Sequence, residues 1–165
     1  MIFITLGSQK FQFDRLLIYI DEVLSNPEFK ELKVFGQIGN STYEPKNFKF
    51  ERFLSRKDFS EKMEESTIVI THGGTGAIIG ALKQHKVVLA IPRNKMFKEH
   101  VDNHQMEIVE VFHSKGFIEV FDTREELEIL LRNPQTLAKD EFISNSKRYL
   151  TFISDYILSG GRSFD

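Results

Sequence analysis

The chain contains no cysteine, so it has no disulfide framework and no thiolate metal site, which agrees with a reducing compartment. It has no surplus of charge of one sign. Twenty-two basic residues stand against 24 acidic ones, a net charge of −2. No global positive field exists to draw in a polyanion, and nucleic acid is not an expected partner. Long apolar runs are missing too. The opening Met1-Ile2-Phe3-Ile4-Thr5-Leu6-Gly7 has no basic leader and stops being apolar too soon for a signal peptide or a membrane span. A cytoplasmic product is expected. No internal repeat, low-complexity tract or linker interrupts the 165 residues, a length one hydrophobic core can serve, so residues 1–165 are read as a single domain. With 41% hydrophobic and 28% charged residues the composition is that of a folded globular chain, not a disordered one.

Apolar periodicity organises what is present. Ile2 to Leu6 reads as a strand ended by Gly7-Ser8-Gln9, and Phe13, Leu16, Leu17, Ile20, Val23 and Leu24 follow at helical spacing. Leu32 to Phe35 and Phe48 to Phe53 read as strands separated by the turn-like stretch from Gly39 to Pro45. Asp58 to Glu65 is a short polar helix or turn. Thr67 to Thr71 is almost continuously apolar, the mark of a strand covered on both faces in a parallel sheet. It enters His72-Gly73-Gly74-Thr75-Gly76 and then a helix through Leu82, so apolar that burial on all sides is expected. Lys86 to Pro92 is a fifth strand with a polar loop to about His100. Val101 to Phe112 is helical, Phe117 to Phe121 is a sixth strand, and Thr123 opens a helix with a Thr-x-x-Glu capping box. Beyond Asn133-Pro134, the residues Phe142, Ile143, Leu150, Ile153 and Ile157 form one stripe of a terminal helix, which either packs on its own domain or docks a partner.

Strands alternating with helices predict an α/β fold with a doubly wound, mostly parallel six-stranded sheet. Right-handed crossovers place every strand's carboxyl end on one edge, so the loops after the first, fourth and fifth strands converge there. Gly73, Gly74 and Gly76 lie between a strand and a helix. Missing side chains there either admit a diphosphate to the helix N-terminus or simply allow close helix-to-sheet packing, and both readings stand. The helix dipole supplies roughly half a positive charge, enough to hold phosphates without a divalent cation. No Asp-x-Asp occurs anywhere, and His100 and His104 have no third ligand at a telling distance, so no metal and no cofactor are expected. Arg93 to Gln105 gathers Arg93, Lys95, Glu99, His100, Asp102, Asn103 and Gln105, side chains suited to sugar hydroxyls or else to a solvated helix start.

Taken together, Thr71-His72-Gly73-Gly74-Thr75-Gly76, Ala81 to Val88, Ile91-Pro92-Arg93 and Glu99 to Gln105 resemble the C-terminal domain of family 28 glycosyltransferases. Thr5-Leu6-Gly7-Ser8 and Phe13-Asp14-Arg15-Leu16 extend the match over about the full chain, which is similar to the small catalytic subunit of split transferases. These include the dolichol-linked GlcNAc-extending type and the bacterial exopolysaccharide and capsule type, often galactosyltransferases. The resemblance implies a Rossmann-like GT-B C-terminal half that binds a UDP-sugar and transfers the sugar, with inversion, to a polyprenyl-diphosphate-linked saccharide. A separate membrane-anchored subunit would supply the acceptor half, holding this chain at the inner face of the membrane. By the same carry-over Gly7, Ser8 and Gln9 face the diphosphate, and His72, Gly73, Gly74, Thr75 and Gly76 lie near phosphates and sugar. Arg93 borders the uracil, and Glu99, His100, Asn103 and Gln105 contact the donor sugar. His72 is the candidate catalytic residue, unless the base comes from the partner.

One position departs from the family pattern. Relatives carry a ribose-binding glutamate in the helix after the glycine loop, and counting back from Pro92 puts Gly80 there. Glu99 is the first substitute to consider. The alternative is a non-catalytic subunit that binds UDP or only stabilises its partner. A nicotinamide oxidoreductase is disfavoured, because Gly74-x-Gly76-x-x-x-Gly80 follows the fourth strand and no Tyr-x-x-x-Lys is present.

Overall fold

The apolar runs become the middle of a sheet because backbone groups stripped of water must pair with each other. A computed structural model describes residues 1–99 and 104–134 with Leu137 and Phe142, and of His104 and Gln105 it describes the backbone alone. Strands β1 (Ile2–Thr5), β2 (Val34–Gln37), β3 (Lys49–Glu51), β4 (Ile68–Thr71), β5 (Val87–Ala90) and β6 (Glu119–Val120) alternate with helices α1 (Asp14–Ser25), α2 (Arg56–Glu65), α3 (Thr75–Leu82), α4 (His104–Ser114) and α5 (Arg124–Arg132). The six strands stand in the order β3-β2-β1-β4-β5-β6. Every pairing is parallel, with Ile2 beside both Val34 and Ile68.

Alternation along the strands sorts the core into two layers. Ile2, Ile4, Ile68, Ile70, Leu89 and Ile91 face one side, where they pack with Leu16, Leu17 and Ile20 of α1 and Leu127 and Leu131 of α5. Phe3, Val69, Val88 and Ala90 face the other, against Met63 of α2, Ile78, Ala81 and Leu82 of α3, and Val109 of α4. Thr5, Gln37 and Thr71 share a register row and belong by parity to this second face, although they are polar. Helix α5 begins with the capping box read from the sequence, Thr123 and Glu126 bonding each other's backbone amides.

Three expectations shift. Leu32 lies ahead of β2, in the turn whose amide bonds Phe29, so β2 starts at Val34. The α2 helix starts at Arg56, two residues before the expected Asp58, because the Ser55 hydroxyl accepts from the Asp58 amide and caps it. Helix α3 is buried on one side alone: Ile78, Ala81 and Leu82 are covered while Thr75 and Gly76 are exposed. The predicted terminal helix lies outside the described residues, apart from Phe142, whose ring meets Phe117 edge-on with centroids 5.4 Å apart. The expected helix from Val101 is described from His104 onward.

The connection from β2 to β3 is not a hairpin. Parallel strands need a crossover, usually a helix, and here the loop of residues 38–48 does that work without one. Two aspartates of α1 hold it down. Asp14 accepts from the amides of Thr42 and Tyr43 and from the Thr42 hydroxyl. Asp21, 4% exposed, accepts from the Tyr43 hydroxyl at 2.7 Å and from the amides of Lys46 and Asn47. The hydrogen bond to Asp21 pushes the Tyr43 phenol up to about 12 from 10.0. A phenol whose folded pKa is raised stabilises the fold fully below its unfolded pKa and loses that contribution as pH climbs through the folded value. Tyr43→Phe is therefore expected to cost about 1 kcal/mol in urea titrations at pH 7. The difference from the parent should persist to pH 10 and vanish as the pH rises through about 12.

Candidate functional site

Strand order reverses direction between β1 and β4, whose following segments leave for opposite faces of the sheet, and such a switch point opens a crevice beyond the carboxyl ends of the strands. A cleft of about 550 Å³ lies there. Thr5 and Gln37 line its sheet side, and α2 contributes Arg56, Phe59, Ser60 and Met63. The α3 side is Gly76, Ala77, Gly80 and Gln84, and Gly7, Ser8, Gln9, His72 and Gly74 complete the lining. No carboxylate is among these residues, and one guanidinium is.

The glycines divide between the two readings that the sequence left open. A Cβ on Gly73 would stand 2.6 Å from Val109 Cγ2, so Gly73, at φ +87°, lets α4 pack close. A Cβ on Gly7 would stand 2.8 Å from His72 Cε1, and one on Gly74 2.5 Å from His72 Nε2. Gly7 and Gly74 thus make room for the imidazole, which joins the first loop to the fourth. Gly76 and Gly80 are different: a Cβ at either meets nothing within 4 Å. Their bare faces open on the cleft.

His72 is 6% exposed, and its Nδ1 lies 3.2 Å from the Thr5 carbonyl. A carbonyl can only accept, so in this contact Nδ1 is the donor. Beside it, helix α3 starts at Gly74 with no side-chain cap. The amides of Ala77 and Ile78 bond the Gly74 carbonyl, which leaves those of Thr75 and Gly76 as the uncapped donors of the first turn. An anion is the natural partner for such amides at the positive end of a helix dipole.

The third loop converges on the first as expected, but two of its residues serve another purpose. Arg93 is 1% exposed. Its Nη2 donates to the Leu6 carbonyl at 2.9 Å, and its Nη1 to the carbonyls of Phe11, Gln12 and Glu99 at 3.0, 3.1 and 3.0 Å. Its guanidinium lies 5.1 Å from the centre of the Phe13 ring, and burial draws its pKa down to about 10. Glu99 is 0% exposed, its two oxygens taken by Arg15 Nε and Nη2 at 3.0 Å each and by the Asn94 amide at 2.9 Å. Burial lowers the Arg15 pKa, but the hydrogen bond and charge of Glu99 outweigh it and hold that pKa above the ordinary value. Neither Arg93 nor Glu99 lines the cleft. Arg93 was expected to border the base and Glu99 to contact the sugar or replace the carboxylate missing at Gly80; here four backbone carbonyls engage the Arg93 guanidinium, and Arg15 with the Asn94 amide engages the Glu99 carboxylate.

Of the remaining expected residues, Gly7, Ser8, Gln9, His72, Gly74 and Gly76 come together around the cleft. Gly73 lies behind it against α4, and Thr75 is exposed on the first turn of α3. His100 and Asn103 lie outside the described residues, and Gln105 is placed by its backbone in the first turn of α4. Arg56, Phe59, Ser60 and Gln37 were not anticipated. Gln37 carried one signal, a lone polar side chain closing a strand. The α2 residues carried none, since nothing local tells which helix faces the switch point. Among the described residues, no group of three or more His, Cys, Asp or Glu side chains is placed to hold a metal ion, and no helix is long and apolar enough to cross a membrane.

Removing Arg93 strips four backbone carbonyls of their donor, those of Leu6 and Glu99 in buried contacts. Arg93→Ala is expected to destabilise the chain by about 3–5 kcal/mol. Arg93→Lys should recover less than half of that, because an ammonium cannot reproduce the planar fork. Urea unfolding of both variants checks the order.

The likeness to known proteins agrees with this geometry. The model of the glycosyltransferase family 28 C-terminal domain matches residues 1–148. The mouse protein "UDP-N-acetylglucosamine transferase subunit ALG13" is 26% identical over 127 residues, 70% of this chain, which spans about a tenth of that protein's length. An NMR solution structure of ALG13 superposes with a TM-score of 0.58 at 20% identity, covering 92% of this chain and 93% of the other. The crystal structure of the glycotransferase of kitacinnamycin gives 0.59 at 18% identity, over 80% of this chain and 34% of that one. At such identities the structures share the fold alone. With nine-tenths of its length matched by one family model, the chain belongs to the glycosyltransferase family 28 C-terminal domain family.

Proposed function

We propose that this chain is the donor-binding subunit of an inverting glycosyltransferase. It would move a hexose, galactose or GlcNAc, from a UDP-sugar to a polyprenyl-diphosphate-linked saccharide in exopolysaccharide or capsule synthesis. The acceptor half comes from a membrane-anchored partner that keeps the chain at the cytoplasmic face. One observation carries the reading: a cleft at the switch point, lined among the described residues by Arg56 and no carboxylate, beside uncapped α3 amides. The mouse relative, named as a UDP-N-acetylglucosamine transferase subunit, supports the donor class.

In that reaction the acceptor hydroxyl oxygen bonds the sugar's anomeric carbon as the carbon–oxygen bond to the diphosphate breaks, and UDP leaves with the electron pair. Charge therefore grows on the terminal phosphate. The Thr75 and Gly76 amides and the α3 dipole stabilise it where a divalent cation does so in other enzymes. His72 is the candidate to touch the reacting region, and the base that takes the acceptor proton comes from it or from the partner. Neither metal nor cofactor is part of the scheme.

A second reading, a UDP-binding or partner-stabilising subunit without turnover, has Gly80 in its favour. The position faces the cleft with open space and offers ribose no side chain. Gly80→Glu separates the two. Because its Cβ meets nothing within 4 Å, the variant should fold at least as stably as the parent. A carboxylate accepting from ribose hydroxyls should tighten UDP binding about tenfold or more by calorimetry. Sugar transfer by the parent chain, assayed with its membrane partner and radiolabelled UDP-hexoses, supports the catalytic reading. Binding without transfer of any hexose supports the second, and absence of saturable UDP binding by both parent and variant removes both.

A further inference from the structure

The sheet side of the cleft holds a buried polar group that the reading above does not use. Gln37 ends β2, is 7% exposed and lines the cleft. Its Oε1 accepts from the Leu54 amide at 3.1 Å. A backbone N–H can only donate, so this contact fixes which end of the side-chain amide is oxygen. The Nε2 end has no hydrogen-bond partner among the described residues, and it is not one of the side-chain atoms sealed from solvent without a partner. It therefore reaches the space of the cleft. There water meets it, and an acceptor on a ligand can take the place of that water.

Position narrows what completes it. Gln37 sits beside Thr5, and Thr5 beside Thr71, the residue that leads into the glycine turn. Two strand spacings of about 4.8 Å put Gln37 roughly 10 Å from that turn. A nucleoside diphosphate spans such a gap with its phosphates at the α3 amides, whereas a lone phosphate does not. Phe59 lines the neighbouring wall, half-buried and braced edge-on by Phe3 with centroids 5.2 Å apart. An aromatic wall beside a donor suits a planar base that carries an acceptor.

We propose that Gln37 reads the base of the bound nucleotide, its Nε2 amino group donating to a carbonyl oxygen of a pyrimidine. This rests on the cleft being a nucleotide site. The Nε2 end offers donors only, so an exocyclic amino group facing it in the place of that carbonyl is turned away. Gln37 is in this sense a specificity residue, and the Leu54 amide is what holds it in its one useful orientation.

Calorimetric titration of the chain with UDP, 2-thio-UDP, 4-thio-UDP and ribose 5-diphosphate tests it, in the parent and in Gln37→Leu. Gln37→Leu is expected to weaken UDP about tenfold and to leave ribose 5-diphosphate, which has no base, unchanged. One of the two thio analogues should bind the parent at least about threefold more weakly than UDP, because sulfur is the poorer acceptor, and should lose that handicap in the variant. Equal weakening of UDP and ribose 5-diphosphate overturns the proposal, since the amide then serves ribose or phosphate. Should Gln37→Leu not fold, the parent decides alone: equal affinity for UDP and both thio analogues overturns it. No saturable binding of UDP to the parent overturns the nucleotide reading itself, a different result from saturable binding that ignores the base.

Discussion

The guanidinium of Arg93, buried where the first and fifth loops meet, holds the site's scaffold together. It donates to four backbone carbonyls drawn from residues 6, 11, 12 and 99. Unpaired carbonyls of that kind would otherwise be stranded away from water, because loop backbone has no ladder to enter. Arg15 of α1 braces the same junction through Glu99, and the Phe13 ring lies within 5.3 Å of both guanidiniums. The charge is expensive to bury, as the depressed Arg93 pKa records, and its hydrogen bonds offset that cost. The first loop is thus held on both sides of Gly7, Ser8 and Gln9, at residues 6, 11 and 12.

His72 does the corresponding work between the first and fourth loops. Its ring fits because Gly7 and Gly74 have no Cβ, and its Nδ1 proton reaches back to the Thr5 carbonyl. Loops one and five are thus tied by an arginine, and loops one and four by a histidine. Between them the cleft is left with bare helix amides and, among the described residues, no competing carboxylate. This arrangement favours an anionic ligand through fixed dipoles, which need no reorganisation when charge moves onto a leaving group. It also explains why the glycine run is long: its members serve packing, ring insertion and ligand access at different positions.

Gly80 and Gln37 set the balance of recognition within the proposed nucleotide site. Without a carboxylate on α3, the ribose has one fewer strong acceptor to meet, and the weight of selectivity falls on whatever reads the base. A buried amide pinned at one end is suited to that, because its orientation costs nothing further on binding. A donor site with a soft ribose contact and a firm base contact would hold its nucleotide weakly and selectively.

Much of the architecture was legible in the chain. Wholly apolar runs such as Ile68 to Thr71 announce strands covered on both faces, and a regular alternation with amphipathic helices leaves a doubly wound parallel sheet as the economical solution. The convergence of the first, fourth and fifth loops followed from crossover handedness alone. Local chemistry also named the α5 capping box correctly. What residue order could not convey is where long side chains end. Arg93 and Glu99 look like ligand contacts in sequence because charge usually implies solvent or substrate, yet their partners are carbonyls and an arginine up to 87 residues away. Arg56, Phe59 and Gln37 look ordinary until the sheet order places α2 and β2 beside the switch point. Secondary structure depends on neighbours a few residues apart and can be read from them; the cleft's lining depends on contacts between distant segments, which come into being only when the sheet assembles.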